Sequence, residues 1–332
     1  MVQNRHLGLD LLRILSAFGV ILIHVSAPYV TKNMKLDNSL FWAGNLYDTL
    51  GRFSVPIFVV ISGYFLVKPV DDLQSFYRKR FIRILFPFIC WSAIYILWAI
   101  FFDMAKPKKI IDGLLWGKPY FHLWFLGMLM GLYAITPILG DFLKRIGRKN
   151  FTYVALGALL LGMGIESWNT YMHNRPWIGV WWLPYVGYFM IGSVVAYVPK
   201  NFHNKWLLVG ALICSYSAVF IFTGLLFKEK HYIWYFYDSL GICGIIATLS
   251  YFNLFRQLNI KHSKLIQKLA SLSFGIYLFH MIPLTVINRY FITEFPSNPF
   301  AAIPLVAGFV FVVSSIVVAV IALVPIMRKG LL

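Results

Sequence analysis

Charge is scarce in this chain. Of its 332 residues only 13% are Asp, Glu, Lys or Arg, and 12 of them are acidic. A water-soluble domain carries about 25% charged residues, so this composition excludes an ordinary soluble protein. Cysteine is nearly absent: Cys90, Cys214 and Cys243 stand far apart within apolar runs. They make neither a disulfide framework nor a metal-ligand spacing, and no metal is expected. No Walker or Rossmann glycine pattern occurs. No internal repeat is strong enough to argue for an inverted-repeat transporter. A cleavable signal is not expected, because the first apolar stretch lacks a small-residue cleavage site and carries an early arginine.

What the chain has is hydrophobic length. It is 60% hydrophobic, with a mean hydropathy of +0.73, and its apolar residues come in runs near the ~20 needed to cross a bilayer as helix. Ten segments follow: Leu9–Val30, Gly44–Val67, Phe81–Phe102, His122–Phe142, Phe151–Ile165, Ile178–Val198, Trp206–Phe227, Ile233–Phe255, Leu269–Phe291 and Ala301–Met327. The fifth is short and diluted by Gly157, Gly162 and Gly164. The expectation is an all-α integral membrane protein, a bundle of about ten transmembrane helices forming a single domain over residues 1–332. No separate soluble domain is expected at either end.

Basic residues orient the bundle. With the N-terminus cytoplasmic, inner loops hold Arg78, Lys79, Arg80 and Arg83, then Lys144, Arg145, Arg148 and Lys149, then Lys261, Lys264 and Lys268. The outer loops hold fewer, among them Lys106, Lys108, Lys109, Lys118, Lys228 and Lys230. Both termini are therefore expected inside, in a multi-pass membrane protein. The formal charge of +18 does not indicate a nucleic-acid partner, because short loops spread it out and no folded domain presents it as one patch. Its ordinary role is topology and contact with anionic membrane lipid.

Within this apolar matrix a few polar residues stand out. Arg13 and His24 are eleven positions apart, almost a whole number of turns, so they share one helix face about 20° apart in rotation and ~16 Å apart along the axis. That is roughly half the hydrocarbon thickness. A cation near one membrane surface and a deep imidazole are costly to bury, and such residues normally face a cavity or pathway.

The second segment carries Arg52, Ser54, Pro56 and then Ser62-Gly63-Tyr64. Pro56 can kink the span, and Ser62-Gly63 permits close helix contact, the commoner meaning of such a pair. In the third, Arg80 and Arg83 lie three apart on one face. Two guanidinium forks suit a phosphate or pyrophosphate, against the plainer alternative of a positive-inside stop with snorkelling side chains.

The fourth segment opens Tyr120-Phe121-His122-Leu123-Trp124. An interfacial aromatic belt accounts for its Trp and Tyr, whereas His122 suits an outward vestibule. Trp168, Trp177, Trp181 and Trp182 extend the belt and carry no assigned chemistry. Glu166 is the acidic residue of the fifth loop, either solvated or holding a histidine in its working tautomer. The ninth segment strings Ser271, Ser273, Tyr277 and His280 into a polar seam, which interhelical hydrogen bonding would also explain.

Together these residues resemble the integral-membrane acyltransferases called the acyltransferase-3 family. The marks are Leu9-Asp10-Leu11-Leu12-Arg13 with His24, Val55-Pro56-Ile57-Phe58 with Ser62-Gly63-Tyr64, Arg80-Phe81-Ile82-Arg83, and Ser273-Phe274-Gly275-Ile276-Tyr277 with His280. The resemblance covers nearly the whole chain, and its ordered set is more specific than any one mark. Within the family it is closest to a stand-alone branch that O-acetylates enterobacterial common antigen, which His122-Leu123-Trp124-Phe125 also resembles. The chain departs from many members at Gly127-Met128-Leu129-Met130, where they carry a glutamate pair, and the C-terminal esterase-like domain of the two-domain members is not expected.

The resemblance implies transfer of an acyl group, with acetyl expected, from cytoplasmic acyl-CoA to a hydroxyl of a surface polysaccharide or its lipid-linked precursor. It implies catalytic roles for His24, Arg13 and His280, with His24 as general base. Arg80 and Arg83, with Ser62 and Tyr64, would bind the donor, Arg13 being a further candidate for its phosphates. His122, Trp124, Glu166 and Tyr277 would meet the acceptor. Ser62, Tyr64, Tyr277 and His280 stay open as oxyanion donors, and direct transfer and an acyl-histidine intermediate are both open. The rivals are a transporter or flippase for a lipid-linked glycan or small organic acid, and a protein with a degenerate site that organises an assembly complex.

Overall fold

The computed structural model describes residues 6–32, 39–104, 106–172, 179–202, 204–226, 235–291, 297–325 and 331, leaving out the side chains of Lys32 and Lys109. Trp177, Lys228 and Lys230 lie outside the described residues, as do the segment ends Ile178, Phe227, Ile233 and Met327.

Among the described residues the structure is helical, with no strand. The long elements are α1 (Leu7–Lys32), α2 (Ser39–Gly51), α3 (Ser54–Leu66), α4 (Leu73–Phe101), α5 (Pro107–Leu115) and α6 (Trp124–Met172). They continue with α7 (Val186–Ala196), α8 (Lys205–Leu225), α9 (Ile242–Gln257), α10 (Lys264–Phe279), α11 (Met281–Tyr290) and α12 (Pro299–Ile321). Among the described residues seven stretches are long and apolar enough to cross a membrane, and eight if α10 and α11, bent by 52°, are one broken span.

One of the seven is double. A continuous helix of the 49 residues in α6 would run about 74 Å, more than twice the hydrocarbon thickness. Gly147 breaks it with φ 75° and ψ 165°, a left-handed backbone that glycine alone adopts freely. Trp182 packs on Gly131, and Pro184, two residues later, packs on Gly162. On a straight helix those two glycines would be about 46 Å apart. The chain therefore folds back at Gly147 into a helical hairpin, 124–146 and 148–172. The fifth expected segment is the return arm, longer than its hydropathy suggested. With the short Leu183–Ala196 counted, every one of the ten expected segments has a helical counterpart.

Local sequence explains several boundaries. Asp72 caps α4 by accepting from the Ser75 N–H at 3.0 Å, Asn204 caps α8 through the Trp206 N–H at 2.8 Å, and Ser263 caps α10. Each satisfies a donor left over at a helix start. Gly117, at φ +63°, ends α5 and turns the chain so that the Lys118 N–H reaches the Gly113 carbonyl at 2.7 Å.

The chain packs as two compact units. The first is Met1–Phe58, Thr170–Met172 and Val198–Ala319; the second is Val59–Asn169, His173–Tyr197 and Val320–Leu332. In the first, α1 packs on α2, α9 and α10. Gly19 and Gly51 let α1 and α2 approach so closely that a Cβ on Gly51 would sit 2.7 Å from the Gly19 carbonyl oxygen. Without a water-driven hydrophobic effect between spans, such close backbone contact is the main source of packing energy in a membrane. In the second unit Gly63 and Gly192 do the same: a Cβ on Gly63 would strike the Phe189 carbonyl, and one on Gly192 the Val60 carbonyl. Gly63 thus has the packing role that the Ser62-Gly63 pair suggested.

Candidate active site

In the first unit α1 is one unbroken helix through Arg13 and His24, so the two share a face as their spacing requires. Arg13 donates from Nη1 to Asp10 Oδ1 at 3.1 Å, and Asp10 is almost fully enclosed. That pair neutralises the charge and fixes the guanidinium nearly two turns from the helix start. His24 keeps part of its surface exposed, and its ring stacks on His280 with centroids 5.3 Å apart and planes 22° from parallel.

His280 stands at the break between α10 and α11 and is completely buried. Its Nδ1 lies 2.6 Å from the Tyr277 carbonyl oxygen. A carbonyl can only accept, so Nδ1 carries the proton and Nε2 is the acceptor of the neutral ring. Tyr277 itself is buried, its ring 5.9 Å from that of His280. The structure therefore brings His24, His280 and Tyr277 together, with Arg13 further along the α1 face.

Beside them is a polar cluster of which sequence reasoning singled out only Arg52. Asp48, buried on α2, pairs with Arg52 in an i, i+4 contact. The Arg52 guanidinium lies over the Tyr237 ring, 4.5 Å from its centroid, and within electrostatic range of His24. Asn45 Oδ1 accepts from the hydroxyls of Tyr237 at 2.6 Å and Thr223 at 2.8 Å, while its amide donates to the Phe220 carbonyl at 3.0 Å. The available signal was Asp48 itself, a carboxylate within an apolar run and four residues before a cation.

The remaining candidates belong to the second unit. Arg80 is half-buried on α4 and Arg83 is exposed, so the shared face is graded rather than uniform. Arg80 Nε is enclosed without a hydrogen-bond partner among the described residues. Its guanidinium lies 5.9 Å from the Phe76 ring centroid and within electrostatic range of Tyr133. The Tyr133 hydroxyl donates to Ser62 Oγ at 3.3 Å, which ties Arg80 and Ser62 into one neighbourhood. Tyr64, a half-turn on, is part-exposed and packs edge-to-face on Phe65. A buried donor with no partner suits an anionic ligand group.

A cavity of about 710 Å³ opens where the end of α4, the 118–121 turn and both ends of the α6 hairpin converge. Trp124 and Glu166 line it, as do Trp181, Asp103, Lys118 and Tyr120. Trp181 is therefore a wall of this cavity as well as a belt residue, seated over Gly127 at 3.1 Å from where a Cβ would be. His122 lies behind the wall, 1% exposed, with its ring edge-on to Tyr95 at 4.8 Å and to Tyr120 at 5.7 Å. It supports Tyr120 and does not open onto the cavity. Glu166 pairs electrostatically with Lys118, whose pKa burial pushes down and Glu166 pulls back up. Burial and Asp103 together hold the Tyr120 hydroxyl protonated, well above its ordinary 10, so it donates to Asp103 Oδ2 at 3.0 Å.

The chain is a multi-pass helical membrane protein. The profile of the family described as "Acyltransferase domain" matches residues 6–324, and the chain belongs to that family. It is also similar to the protein named "Putative membrane-bound acyltransferase YfiQ" of Bacillus subtilis (strain 168). The two are 22% identical over 324 residues, covering 89% of this chain and 85% of the relative. No solved structure matches the chain.

Proposed function

We propose that this membrane acyltransferase moves an acyl group, acetyl in the first instance, from cytoplasmic acyl-CoA to a sugar hydroxyl of a surface polysaccharide or its lipid-linked precursor. The setting is the bacterial inner membrane. The observation that carries the reading is the stacking of His280 on His24 of the Arg13 helix, within a chain of the acyltransferase family.

In this reading His24 accepts the proton of the attacking hydroxyl as its oxygen bonds to the thioester carbonyl carbon. The carbon–sulfur bond then breaks, and His24 returns the proton to the departing thiolate. His280, its Nδ1 proton held by the Tyr277 carbonyl, keeps its ring plane fixed and thereby orients His24. Arg52, balanced by Asp48, places a positive field near the histidine. In the second unit Arg80 and Arg83 hold the phosphates of the donor, and the buried Arg80 Nε is a donor waiting for such a group. Arg13 is already paired with Asp10 and serves the helix face more than the donor.

The test supplies radiolabelled acetyl-CoA on the Arg80/Arg83 side of proteoliposomes, with wild type and His24→Gln in parallel. Label reaching a glycan fraction in wild type alone, with coenzyme A still bound by the variant, is expected. A wild-type protein that is folded yet neither binds the donor nor releases coenzyme A would return the reading to a transporter.

A further inference from the structure

The cavity of the second unit has a lining that names a ligand class. Its volume of about 710 Å³ falls within the ~300–1,000 Å³ usual for small-molecule sites. Two kinds of surface meet there. One is aromatic: Trp124 and Trp181 stand 5.8 Å apart at 59°, and Tyr185 lies 5.8 Å from Trp124. The other is ionisable: Asp103, Glu166 and Lys118 all reach the wall.

Each feature excludes something. Three ionisable groups are a poor lining for a lipid tail, because they would lose hydration with nothing to bond. A compact inorganic anion would leave the aromatic faces uncovered and would meet two carboxylates at the wall. Two carboxylates against one lysine repel the phosphates of a nucleotide-like donor. A pyranose fits both surfaces at once, since its axial C–H bonds make an apolar face and its equatorial hydroxyls a polar rim. The aromatic rings can cover that face, and the carboxylates can accept from the rim. Asp103 accepts from Tyr120 through one oxygen, and a carboxylate has acceptor capacity beyond that one bond. The Lys118 ammonium is held by the Trp181 face at 5.4 Å and by Glu166, so it is positioned as a donor rather than swinging in solvent.

The cavity is also built, not incidental. Gly127 and Gly131 have no side chain, and Trp181 and Trp182 lie against α6 in the space this leaves. Trp182 is fixed further by donating from its indole N–H to the Gly179 carbonyl at 2.7 Å. The positive φ of Gly117 turns Lys118 back over α5. Sequence-distant pieces thus converge on one concave surface.

We propose that this cavity is a saccharide-recognition site that binds an uncharged pyranose of the acceptor, with Trp124 and Trp181 covering the sugar face and Asp103 and Glu166 accepting from its hydroxyls. The proposal rests on the acyltransferase reading above and deepens it by locating acceptor specificity in the second unit.

Full-length protein in lipid nanodiscs, free of sugar-headed detergent, would be titrated with methyl glycosides of glucose, galactose, mannose and N-acetylglucosamine. Saturation-transfer NMR reads binding, and coenzyme A release from acetyl-CoA is followed in the same samples. Binding of at least one glycoside by wild type is expected, weakened about tenfold in Trp181→Ala and in Asp103→Asn, the scale of losing one central contact. Trp181→Phe, which keeps an aromatic face, should retain most of it. Asp103→Asn is nearly isosteric and guards against misfolding as the cause. Absence of methyl glycoside binding in wild type, or binding only of an alkyl chain, overturns the proposal. So does unchanged glycoside affinity in both variants, even where wild type transfers acetyl, and the acyltransferase reading then stands alone. Binding that the variants weaken, without transfer to any acceptor, keeps the saccharide site and removes the acyltransferase reading.

Discussion

The imidazoles of His24 and His280 lie face to face, centroids 5.3 Å apart and planes 22° from parallel, although they come from the first helix and from the break between the tenth and eleventh. The contact joins two polar residues that would otherwise each be a costly intrusion into apolar helices. The two histidines differ in exposure. His280 is buried and tied to the Tyr277 carbonyl, whereas His24 keeps some exposed surface.

His280→Phe preserves a flat ring against His24 but removes both nitrogens. Turnover is expected to fall on the order of 10²-fold, the lower end of what a positioned acid–base system contributes. Donor affinity and thermal stability should change little. Single-turnover acetyl transfer alongside isothermal titration with coenzyme A measures both. A kcat within twofold of wild type would leave His280 as packing alone.

Arg80 and Arg83 should not be equivalent. Arg80 is half-buried with an unsatisfied Nε, and Arg83 is exposed. A charge-assisted bond from an enclosed donor is worth more than one screened by water. Arg80→Gln is expected to weaken coenzyme A binding by about tenfold or more, and Arg83→Gln by less. Equal effects would mean that summed charge matters rather than the fork, and no effect in either would remove the donor site from this face.

Gly63→Ala places a methyl group against the Phe189 carbonyl, which is backbone and cannot move aside. Overpacking of this sort costs roughly 1–3 kcal/mol. The matching control is Gly210→Ala, where a Cβ would meet open space and the higher helix propensity of alanine applies. Thermal unfolding in detergent should show Gly63→Ala melting earlier than wild type and Gly210→Ala unchanged or later.

His6, just before α1, gives a pH dependence. Burial lowers its pKa from the ordinary 6.5, helped by Lys200 and Arg256 and opposed by Asp10. The folded form therefore binds protons less readily than the unfolded form. Its contribution is fully present above about pH 6.5 and is lost as pH falls through the lower folded value. The unfolding midpoint of wild type should drop on acidification below 6.5, and His6→Gln should flatten that part of the profile. A His6→Gln profile parallel to wild type throughout would assign the acid sensitivity elsewhere.

Much of this protein was readable from its amino acids because a bilayer limits the choices. Hydropathy alone marks the helices, since a spanning segment must satisfy its backbone internally. The eleven-residue step from Arg13 to His24 places both on one face whatever the rest of the chain does. Ser62-Gly63 declared a close approach, and the Phe189 backbone is what approaches.

Other features had no local signature. Hydropathy could not show that 124–172 is a hairpin turning on one positive-φ glycine, because glycine has many uses in apolar helices. Trp181 looks like any interfacial tryptophan until Gly127 seats it in a cavity wall, and His122 looks like a ligand until Tyr95 and Tyr120 enclose it. The long-range partners of Asn45 come from α8 and from Tyr237, just before α9, far along the chain. Helical periodicity is a property of neighbours in sequence and is fixed by 3.6 residues per turn. Which histidine stacks on His24, and which carboxylates share a cavity with which indoles, depends on contacts between distant helices, and only their packing decided that.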